Sequence, residues 1–547
     1  MFQTNKNQQI SITDSFNQLP EYLKDYLRKS WAHEFQNTIF PAINEERFSV
    51  LYSDKPSRPN TPINVIIGGL LIKELQNLTD EELVAQIHLN DQYQYALRLT
   101  SEERPQVSAN TFGNFRKRVT KYYEKTGIDL IQEEIEDLAD VIAEELEIDG
   151  EMARVDSFML ASSCRKLSRI ELVYRVNEQF IKMLDENFQE LIPEHCKDYL
   201  TEDHENEIIY RTKNSEAETK LENLLTQSKE LFEIGKDAGS SVTDTEEFKL
   251  LERMLKEQTK DDDDNSDNVE PKDNEDIASD SLQNPSDPDA TFRIKYEDNV
   301  GYVANVLEQF DDTCSVIKSY DLKPNIYSDQ KFSRDTLEKI VDDDNIDTNF
   351  DSDTQKDDSN FLKLLMDGTY YTFELAQKAL SFCIKFIPGD LTGKKPAQDK
   401  MTYFENFTLD EEREKILSCA GGYEPVYQEK QDDKDRIYAV FAKKPCRLCK
   451  LKDQCRVNLN NKQNSVSFTE KRYEIGRLRQ KMGTQEYKEL ANKRAGIEGI
   501  PSVLRRKYDI DYMPVRGVVA QKLFLGFKIG AINFKKLLKG RKTKGTC

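Results

Sequence analysis

The chain has 547 residues, and its 100 Asp and Glu against 78 Lys and Arg give a formal net charge of −22 and a pI near 4.9. The longest apolar run, Val65–Ile72, is far shorter than the roughly 20 residues that a membrane span requires, which excludes a transmembrane protein. Nine cysteines are few for a disulfide scaffold of this length, and the polar start of the chain has no apolar signal segment, so we expect reduced thiols and a cytoplasmic location.

The net charge is distributed unevenly along the chain. Residues 260–290 hold 12 acids, two bases and almost no apolar side chains. This composition predicts a disordered acidic linker, because such a segment cannot bury enough surface to offset its ordering entropy. Residues 436–547 hold 28 Lys and Arg against eight Asp and Glu, a net charge of +20. Basic runs are commonly solvated faces, but an excess of this size favours contact with a polyanion.

Apolar residues at three- and four-residue spacing predict helices through the first 130 residues. Thr79 and Glu82 have the spacing of a capping box that starts one helix, and Ser108 can cap a second helix with Phe112 and Phe115 in its core stripe. Two short helices of this kind suit a helix-turn-helix-like DNA-binding module, with an ordinary helical bundle as the alternative. The polar side chains that the second helix would present to DNA are Asn110, Asn114, Arg116, Lys117 and Arg118.

From about Leu146 the pattern changes, and an α/β domain around a mixed sheet is predicted. A strand at Glu151–Leu160 precedes an amphipathic helical block over residues 161–258. The elements predicted after the acidic linker are strands Gly301–Phe310 and Cys314–Tyr320, a helix at Ser333–Val341, a strand Leu362–Asp367, a helix Tyr371–Ser381 and a strand Cys383–Ile387.

Two aspartates stand on these predicted strands. Asp156 lies inside the first strand, and Asp367 lies at the carboxyl end of a later one. A carboxylate held in a sheet is costly unless it is paired or binds a cation, and two carboxylates at neighbouring strands form a hard-oxygen site that suits Mg²⁺ or Mn²⁺. The alternative for each is an aspartate that only caps a turn.

A third candidate acid is Glu498, in the basic C-terminal region. Arg494 precedes it by four residues and Arg505 follows it by seven, so the three side chains could share one helix face. The alternative is an exposed ion pair of little energetic value. However, Gly496 and Gly499 flank the glutamate, and glycines at these positions favour close approach of a backbone or ligand.

Four cysteines form a candidate zinc site. Cys446, Cys449 and Cys455 are closely spaced among basic residues, and Cys419 lies upstream. Four thiolates complete a tetrahedral structural zinc site, whereas the alternative is a set of unliganded thiols in a loop.

Taken together, these stretches resemble the DDE transposases of bacterial insertion sequences, which have an RNase H-like catalytic domain. The motif R-x3-E-x6-K/R, carried here by Arg494, Glu498 and Arg505, is fairly specific when it follows two strand-borne aspartates. Relatives often have a tyrosine three residues before the arginine, where this chain has Ala491. The stretches that carry the resemblance are residues 47–87 and 108–118 (helical N-terminal domain), 154–160 (first-Asp strand), 301–374 (second Asp) and 494–539 (glutamate helix and closing segment).

The resemblance implies a two-metal-ion mechanism. Asp156, Asp367 and Glu498 would hold two Mg²⁺ or Mn²⁺ ions, and Arg494 and Arg505 would contact DNA phosphates. The implied function is binding of terminal inverted repeats, cleavage of 3′ ends and strand transfer into target DNA, by a homodimer in the DNA complex. The alternatives are an RNase H-like metal-dependent nuclease without strand transfer and a catalytically inactive DNA-binding derivative.

Composition, periodicity and the resemblance together predict this order of parts: a helical N-terminal DNA-binding domain (1–145), a first catalytic strand (146–160), a helical insertion (161–258), an acidic disordered linker (259–291), the continued RNase H-like core (292–415), a Cys-rich insertion (416–468) and the catalytic glutamate helix with a basic C-terminal segment (469–547).

Overall fold

The computed structural model describes residues 1–6, 14–53, 55, 59–100, 106–210, 214–260, 269–295, 298–342, 361–392, 406–410, 413–431, 436–455, 457–459 and 463–544. The chain divides into two compact units. The first comprises Met1–Asp149, Asp156–Ser328 and Gly499–Cys547, and the second comprises Gly150–Val155 and Asp329–Glu498. No helix within the described part has the length and apolarity of a membrane span.

The elements alternate between helical and mixed regions. In chain order the helices are α1 Ser15–Gln18, α2 Glu21–Arg28, α3 Trp31–Glu34, α4 Phe40–Ala42, α5 Ile63–Gln76, α6 Asp80–Leu89, α7 Asp91–Ala96, α8 Ala109–Thr126, α9 Leu130–Glu145, α10 Arg169–Asn187, α11 Glu202–Glu205, α12 Ala217–Asp237, α13 Ser240–Thr243, α14 Glu246–Gln258, α15 Asp329–Asp342, α16 Phe373–Ser381, α17 Lys443–Leu448, α18 Glu470–Met482, α19 Gln485–Arg494, α20 Gly499–Tyr508 and α21 Val518–Lys544. The strands are β1 Met152–Ala161, β2 Thr291–Ile294, β3 Asp298–Phe310, β4 Ser315–Pro324, β5 Leu362–Met366, β6 Ile384–Pro388, β7 Thr408–Leu409, β8 Ile416–Ser418, β9 Tyr427–Gln431, β10 Arg436–Phe441, β11 Asn458–Leu459 and β12 Asn464–Thr469.

The helix starts predicted for the N-terminal part of the first unit are confirmed. At α6 the Thr79 N–H donates to Glu82 Oε2 at 2.8 Å, and the Glu82 N–H donates to Thr79 Oγ1 at 3.1 Å. Ser108 is the N-cap of α8, and its N–H donates to Thr111 Oγ1 at 3.2 Å. These reciprocal bonds satisfy donors that the first helical turn leaves without partners, which is why each helix begins at this residue.

The basic C-terminal helix α21 is built into the first unit. It packs against α5, α8, α9 and β4. Buried Lys528 pairs with Glu74 of α5 at 2.7 Å, and buried Lys522 pairs with Asp321 at 3.0 Å and with Asp129 at 3.4 Å. Towards its end the helix pairs Lys536 with Glu308, Arg541 with Glu34 and Glu145, and Lys544 with Glu147. Five of the 28 basic side chains that favoured polyanion contact, all of them on α21, therefore have acidic partners within the unit.

A buried carboxyl in the same unit gives a pH-dependent contribution to stability. Glu134 of α9 is almost fully buried, pairs with Arg47 at 2.7 Å and accepts the Asn44 N–H at 3.0 Å. Burial outweighs these contacts and raises the pKa of Glu134 to about 7. Because the folded pKa lies above the unfolded one, the folded state binds the Glu134 proton more tightly than the unfolded state. The contribution of the protonated carboxyl to stability is fully present below about pH 4.5 and is lost as pH rises through 7.

We therefore expect Glu134→Gln to gain stability relative to the wild type as pH rises from 5 to 8, by about 1 to 3 kcal/mol, because glutamine keeps the acceptor without the buried charge. Unfolding at both pH values measures this difference. Glu133→Gln, on the exposed end of the same Arg47 cluster, is the control and should show no such trend. An equal trend in both variants would contradict the assignment.

The helical insertion predicted over residues 161–258 forms its own core from α10, α12 and α14, with Phe180, Leu225 and Leu251 buried in it. The acidic linker prediction is wrong for Val269–Ala290, which is ordered, and residues 261–268 lie outside the described residues. Leu282, within the ordered part, is buried in this core.

Asp287 explains why this acidic segment is ordered. Its carboxylate is fully buried and accepts hydrogen bonds from the Tyr302 and Ser162 hydroxyls and from the Gly517 N–H. A buried carboxylate with three donors is well satisfied. The segment is thereby tied to β3, to the end of β1 and to the start of the C-terminal helix region.

The sheet is mixed, as predicted. In the first unit β3 and β4 form an antiparallel hairpin, β2 pairs antiparallel with β3, and beyond β1 the Ser162 N–H donates to the Val300 carbonyl at 2.9 Å. In the second unit the first half of β1 pairs in parallel with β5, and β5 pairs in parallel with β6. A second, antiparallel sheet of the second unit has the order β11-β12-β10-β9. The predicted order of domains stays a prediction.

Candidate functional site

Asp156 lies in β1, as predicted, and is half-buried. Its Oδ1 accepts the N–H of the following Ser157 at 2.9 Å. The alternation of buried and half-buried residues along β1 places Val155 in the core, so the carboxylate stands on the less buried face.

Asp367 directly follows β5. Its Oδ1 accepts the Gly368 N–H at 2.7 Å, and its Oδ2 accepts the Thr369 hydroxyl at 3.2 Å. The carboxylate therefore caps the turn after the strand, which is the alternative considered above. Capping and metal binding are compatible, because each carboxylate oxygen has more than one acceptor position.

Glu498 ends a short 3₁₀ segment, Ala495–Glu498, between α19 and α20. The prediction of one helix face for Arg494, Glu498 and Arg505 is wrong, because the α-helix stops at Arg494 and restarts at Gly499. Arg494 Nη2 nevertheless contacts Glu498 Oε1 at 3.1 Å, and the glutamate side chain is 60% exposed. The carboxylate is oriented by the arginine while remaining open to solvent.

The close approach predicted at the glycines occurs at Gly496, and the approaching group is a side chain. A Cβ on Gly496 would clash with the guanidinium of Arg154, whose Nη1 donates to the Lys493 carbonyl at 2.6 Å. Arg154 of β1 thus fixes the corner between α19 and the 3₁₀ segment. Arg494 lies beside Gly389, immediately after β6.

Arg505 makes its contacts within the first unit. Its Nε lies 3.1 Å from Asp511 Oδ2, and its Nη2 donates to the Met159 carbonyl of β1 at 2.7 Å. This arginine supports the backbone of the strand that carries Asp156.

The α8 residues proposed for DNA contact divide into two groups. Asn110, Asn114 and Lys117 are exposed at four- and three-residue spacing, and Lys121, which sequence analysis missed, continues the same stripe one turn on. We call these four residues the α8 stripe. Its periodicity was available in the sequence as the signal that would have found Lys121.

The remaining two α8 residues contact the protein. Arg116 is half-buried and pairs with Asp80 of α6. Arg118 is exposed, and its guanidinium lies 4.8 Å from the centre of the Tyr52 ring. Arg116 therefore holds α8 against α6.

The four cysteines of the candidate zinc site lie together in the second unit. They line one small cavity, and Cys419 and Cys446 are buried. Burial first, and then the nearby thiols of Cys419, Cys455 and Cys449, raise the pKa of the Cys446 thiol. All four are free thiols. Among the described residues, no three His, Cys, Asp or Glu side chains form a group arranged to hold a metal ion.

Two family models match the chain. A model described as a transposase domain of the DUF772 type matches residues 25–118, and a model described as a transposase DDE domain matches residues 418–538. The first includes most of the α8 stripe, and the second includes the four cysteines, Arg494 and Glu498. No curated protein and no solved structure gives a significant match. A DDE domain implies an RNase H-like fold and a catalytic transposase, and the chain carries both a transposase N-terminal domain, over residues 25–118, and a C-terminal DDE domain, over residues 418–538, as transposases of the insertion-sequence type do.

Proposed function

We propose that this transposase binds the terminal inverted repeats of its element, cuts the 3′ ends and joins them to target DNA, with Asp156, Asp367 and Glu498 as its catalytic acids. Contacts within the second unit support this assignment most directly. Asp367 directly follows β5, and on the neighbouring parallel strand β6 the next residue, Gly389, lies beside Arg494, whose Nη2 contacts Glu498 Oε1 at 3.1 Å. Asp367 and Glu498 therefore belong to the same strand ends of this unit, and the resemblance supplies Asp156 as the third acid.

The chemistry of the donors fits divalent metal. The three acids offer hard carboxylate oxygens, all at half-buried or exposed positions that DNA can approach. Two Mg²⁺ or Mn²⁺ ions held there would supply activation of water or of a 3′-OH and stabilisation of the leaving oxygen. Arg494 orients Glu498, and its guanidinium is the group proposed to contact a phosphate near the scissile bond. Joining two ends requires two active sites, so we propose a homodimer in the DNA complex.

An end-joining assay tests this function. Full-length protein is incubated with inverted-repeat duplexes, either intact or pre-cleaved, a target plasmid and Mg²⁺ or Mn²⁺. We expect cleavage of the intact duplex and covalent joining of both. Cleavage without joining of pre-cleaved ends would indicate the nuclease alternative, and specific binding without either reaction would indicate an inactive derivative.

The α8 stripe is the proposed face for binding the inverted repeats. Lys117→Ala with Lys121→Ala should weaken binding and reduce the salt slope of log K by about 2, because two phosphate contacts are lost. Titrations at several salt concentrations measure the slope. The control is Lys197→Ala with Lys249→Ala, two exposed lysines of the helical insertion. Equal losses in both double variants would contradict a specific role for the stripe.

We also propose structural zinc at Cys419, Cys446, Cys449 and Cys455. The cavity that these thiols line has a volume of about 20 Å³, which is room for roughly one water-sized sphere. Zinc binds thiolates, so its binding would release the thiol protons, and its positive charge would stabilise thiolates that burial otherwise disfavours.

Removal of the metal should destabilise the second unit. Metal analysis should give one zinc per chain, and a chelator or Cys446→Ser should lower the melting temperature, with Cys383→Ser as the control outside the cluster. No zinc in the purified protein together with melting that a chelator leaves unchanged would contradict the proposal.

A further inference from the structure

The end of β1 extends beyond one of its neighbours in the sheet. The register of β1 with β5 ends where Arg154 is opposite Leu365, and β5 itself ends at Met366, whereas β1 continues to Ala161. On its other side β1 has β3 as its neighbour. Asp156 therefore stands on a part of β1 where one strand edge needs other partners, because a buried backbone N–H or C=O group without a hydrogen bond is costly.

Two side chains of opposite charge bond to this part of β1. Arg505 Nη2 donates to the Met159 carbonyl at 2.7 Å, and Asp511 Oδ1 accepts the Ala161 N–H at 3.4 Å. Arg505 Nε also donates to Asp511 Oδ2 at 3.1 Å, which joins the two side chains. We call Arg505 and Asp511 the β1 clamp. Both residues belong to the first unit, as Asp156 does.

The β1 clamp reproduces the hydrogen bonds that one residue of a parallel strand would make. In a parallel ladder, one residue donates its N–H to a carbonyl of the neighbouring strand and accepts an N–H from two residues further along that strand. Met159 and Ala161 are two residues apart in β1, so their backbone groups face the same edge. The arginine supplies the donor and the aspartate supplies the acceptor. An ion pair of side chains thus replaces the strand that β5 does not provide.

Further contacts fix the residues beside the β1 clamp. The buried Ser162 hydroxyl donates to Asp287, and the Ser162 N–H donates to the Val300 carbonyl at 2.9 Å. Gly301 of β3 lies so close that a Cβ on it would clash with the Leu160 carbonyl. The end of β1 is therefore held from both sides, by β3 on one edge and by the clamp on the other.

We propose that Arg505 and Asp511 are positioning residues that hold the end of β1, and with it Asp156, in the geometry that binds metal. The inference rests on the proposed function, in which Asp156 is a metal ligand. It gives Arg505 a role other than the phosphate contact that the resemblance implies. Groups that orient a metal ligand typically contribute a factor of about 10–100 in metal affinity or activity. Because the clamp acts through the backbone of the strand, we expect the lower end of this range, about tenfold.

The test compares Arg505→Gln and Asp511→Ala in the full-length protein. Binding of Mn²⁺ is followed by the EPR signal of the free ion, in the complex with a pre-cleaved inverted-repeat duplex and without target DNA, so that no joining to a target occurs. Hydrogen exchange of the peptide that covers residues 157–162 reports on the strand itself. We expect both variants to weaken Mn²⁺ binding about tenfold and to speed this exchange. Asp298→Ala, which breaks an exposed ion pair with Lys166 in the same unit, is the control and should do neither.

The salt dependence of DNA binding distinguishes the β1 clamp from a phosphate contact. If Arg505 contacted a phosphate instead, Arg505→Gln would reduce the salt slope of log K by about 1, and Asp511→Ala would leave Mn²⁺ binding unchanged. That result would overturn the proposal. In the clamp, loss of the cation and loss of the anion have the same consequence for Mn²⁺ binding, and we expect the salt slope of the wild type in both variants.

The remaining outcomes separate positioning from a structural role. Faster exchange with wild-type Mn²⁺ binding would overturn the link between the clamp and Asp156. If Asp511→Ala does not fold, Asp511→Asn takes its place, because the amide keeps an acceptor for the Ala161 N–H without the charge. Wild-type Mn²⁺ binding in Asp511→Asn and in Arg505→Gln would then overturn the proposal.

Asp156→Asn separates this inference from the proposed function. Wild-type Mn²⁺ binding and cleavage in this variant would remove Asp156 from the catalytic set, and both the proposed set of acids and the positioning role would be overturned. Weakened Mn²⁺ binding in Asp156→Asn with wild-type binding in both clamp variants would overturn the positioning role alone.

Discussion

Asp367→Asn should slow 3′-end cleavage on the order of 10³-fold, which corresponds to a rise of about 4 kcal/mol in activation free energy. Binding of the inverted repeats should be unchanged. The substitution is chosen because the amide oxygen can still accept the Gly368 N–H that the aspartate accepts at 2.7 Å. The turn after β5 is thereby preserved, and only the anionic ligand is removed. Single-turnover cleavage and a binding titration measure the two quantities.

Asp156→Asn and Glu498→Gln should give the same separation of cleavage from binding. Glu338→Gln, an exposed acid of α15 in the second unit, is the control and should cleave like the wild type. Near-normal cleavage by any one of the three acid variants would remove that residue from the catalytic set. A parallel loss of DNA binding and of folded protein would assign the residue a structural role.

Lys528→Met should destabilise the first unit by roughly 3–5 kcal/mol, because it removes the nearer cation of the buried Glu74 carboxylate and leaves only Lys73, at 3.9 Å. The two groups lie 2.7 Å apart, and both side chains are less than one tenth exposed. The double variant Lys528→Met with Glu74→Leu should recover most of the loss, since replacing both partners by apolar groups leaves no uncompensated charge.

Chemical denaturation of the full chain measures this double-mutant cycle. Lys197→Ala, which breaks an exposed pair in the helical insertion, should change stability little and serves as the control. If Lys528→Met lowers the free energy of unfolding no more than the control does, the claim that buried ion pairs stabilise the packing of α21 against the N-terminal helices is contradicted.

The elements that depend on local signals were predictable. The capping box at Thr79 and the N-cap Ser108 act within a few residues, so the starts of α6 and α8 were located closely, and the predicted strands Gly301–Phe310 and Cys314–Tyr320 overlap β3 and β4. The same holds for Asp156 within β1 and Asp367 after β5, because a strand end is defined by its own neighbours.

The predictions that were wrong concern contacts between residues that are distant in sequence. Val269–Ala290 has the composition of a disordered linker, but Asp287 is buried against Tyr302, Ser162 and Gly517, contacts that composition does not reveal. The basic C-terminal charge suggested DNA contact, yet Lys528 pairs with an acid more than 450 residues away.

The candidate site shows the same division. Helical spacing placed Arg494 and Glu498 together, and they form an ion pair, but it did not predict the corner that Arg154 fixes at Gly496. On α8 the helical spacing could have separated the exposed residues from the others. Arg116 pairs with Asp80, whereas Lys121 continues the exposed stripe.

Metal-specificity rescue tests the central claim most directly, that Asp156, Asp367 and Glu498 bind the catalytic metal. Each acid is replaced by cysteine, and 3′-end cleavage is measured in Mg²⁺ and in Mn²⁺. Mg²⁺ requires oxygen ligands, whereas Mn²⁺ tolerates a thiolate better. We predict that all three variants are inactive in Mg²⁺ and regain cleavage in Mn²⁺, while Glu338→Cys behaves like the wild type in both. Wild-type activity in Mg²⁺ for any of the three, or no rescue by Mn²⁺ in a variant that still binds DNA, would contradict the role of that acid as a metal ligand.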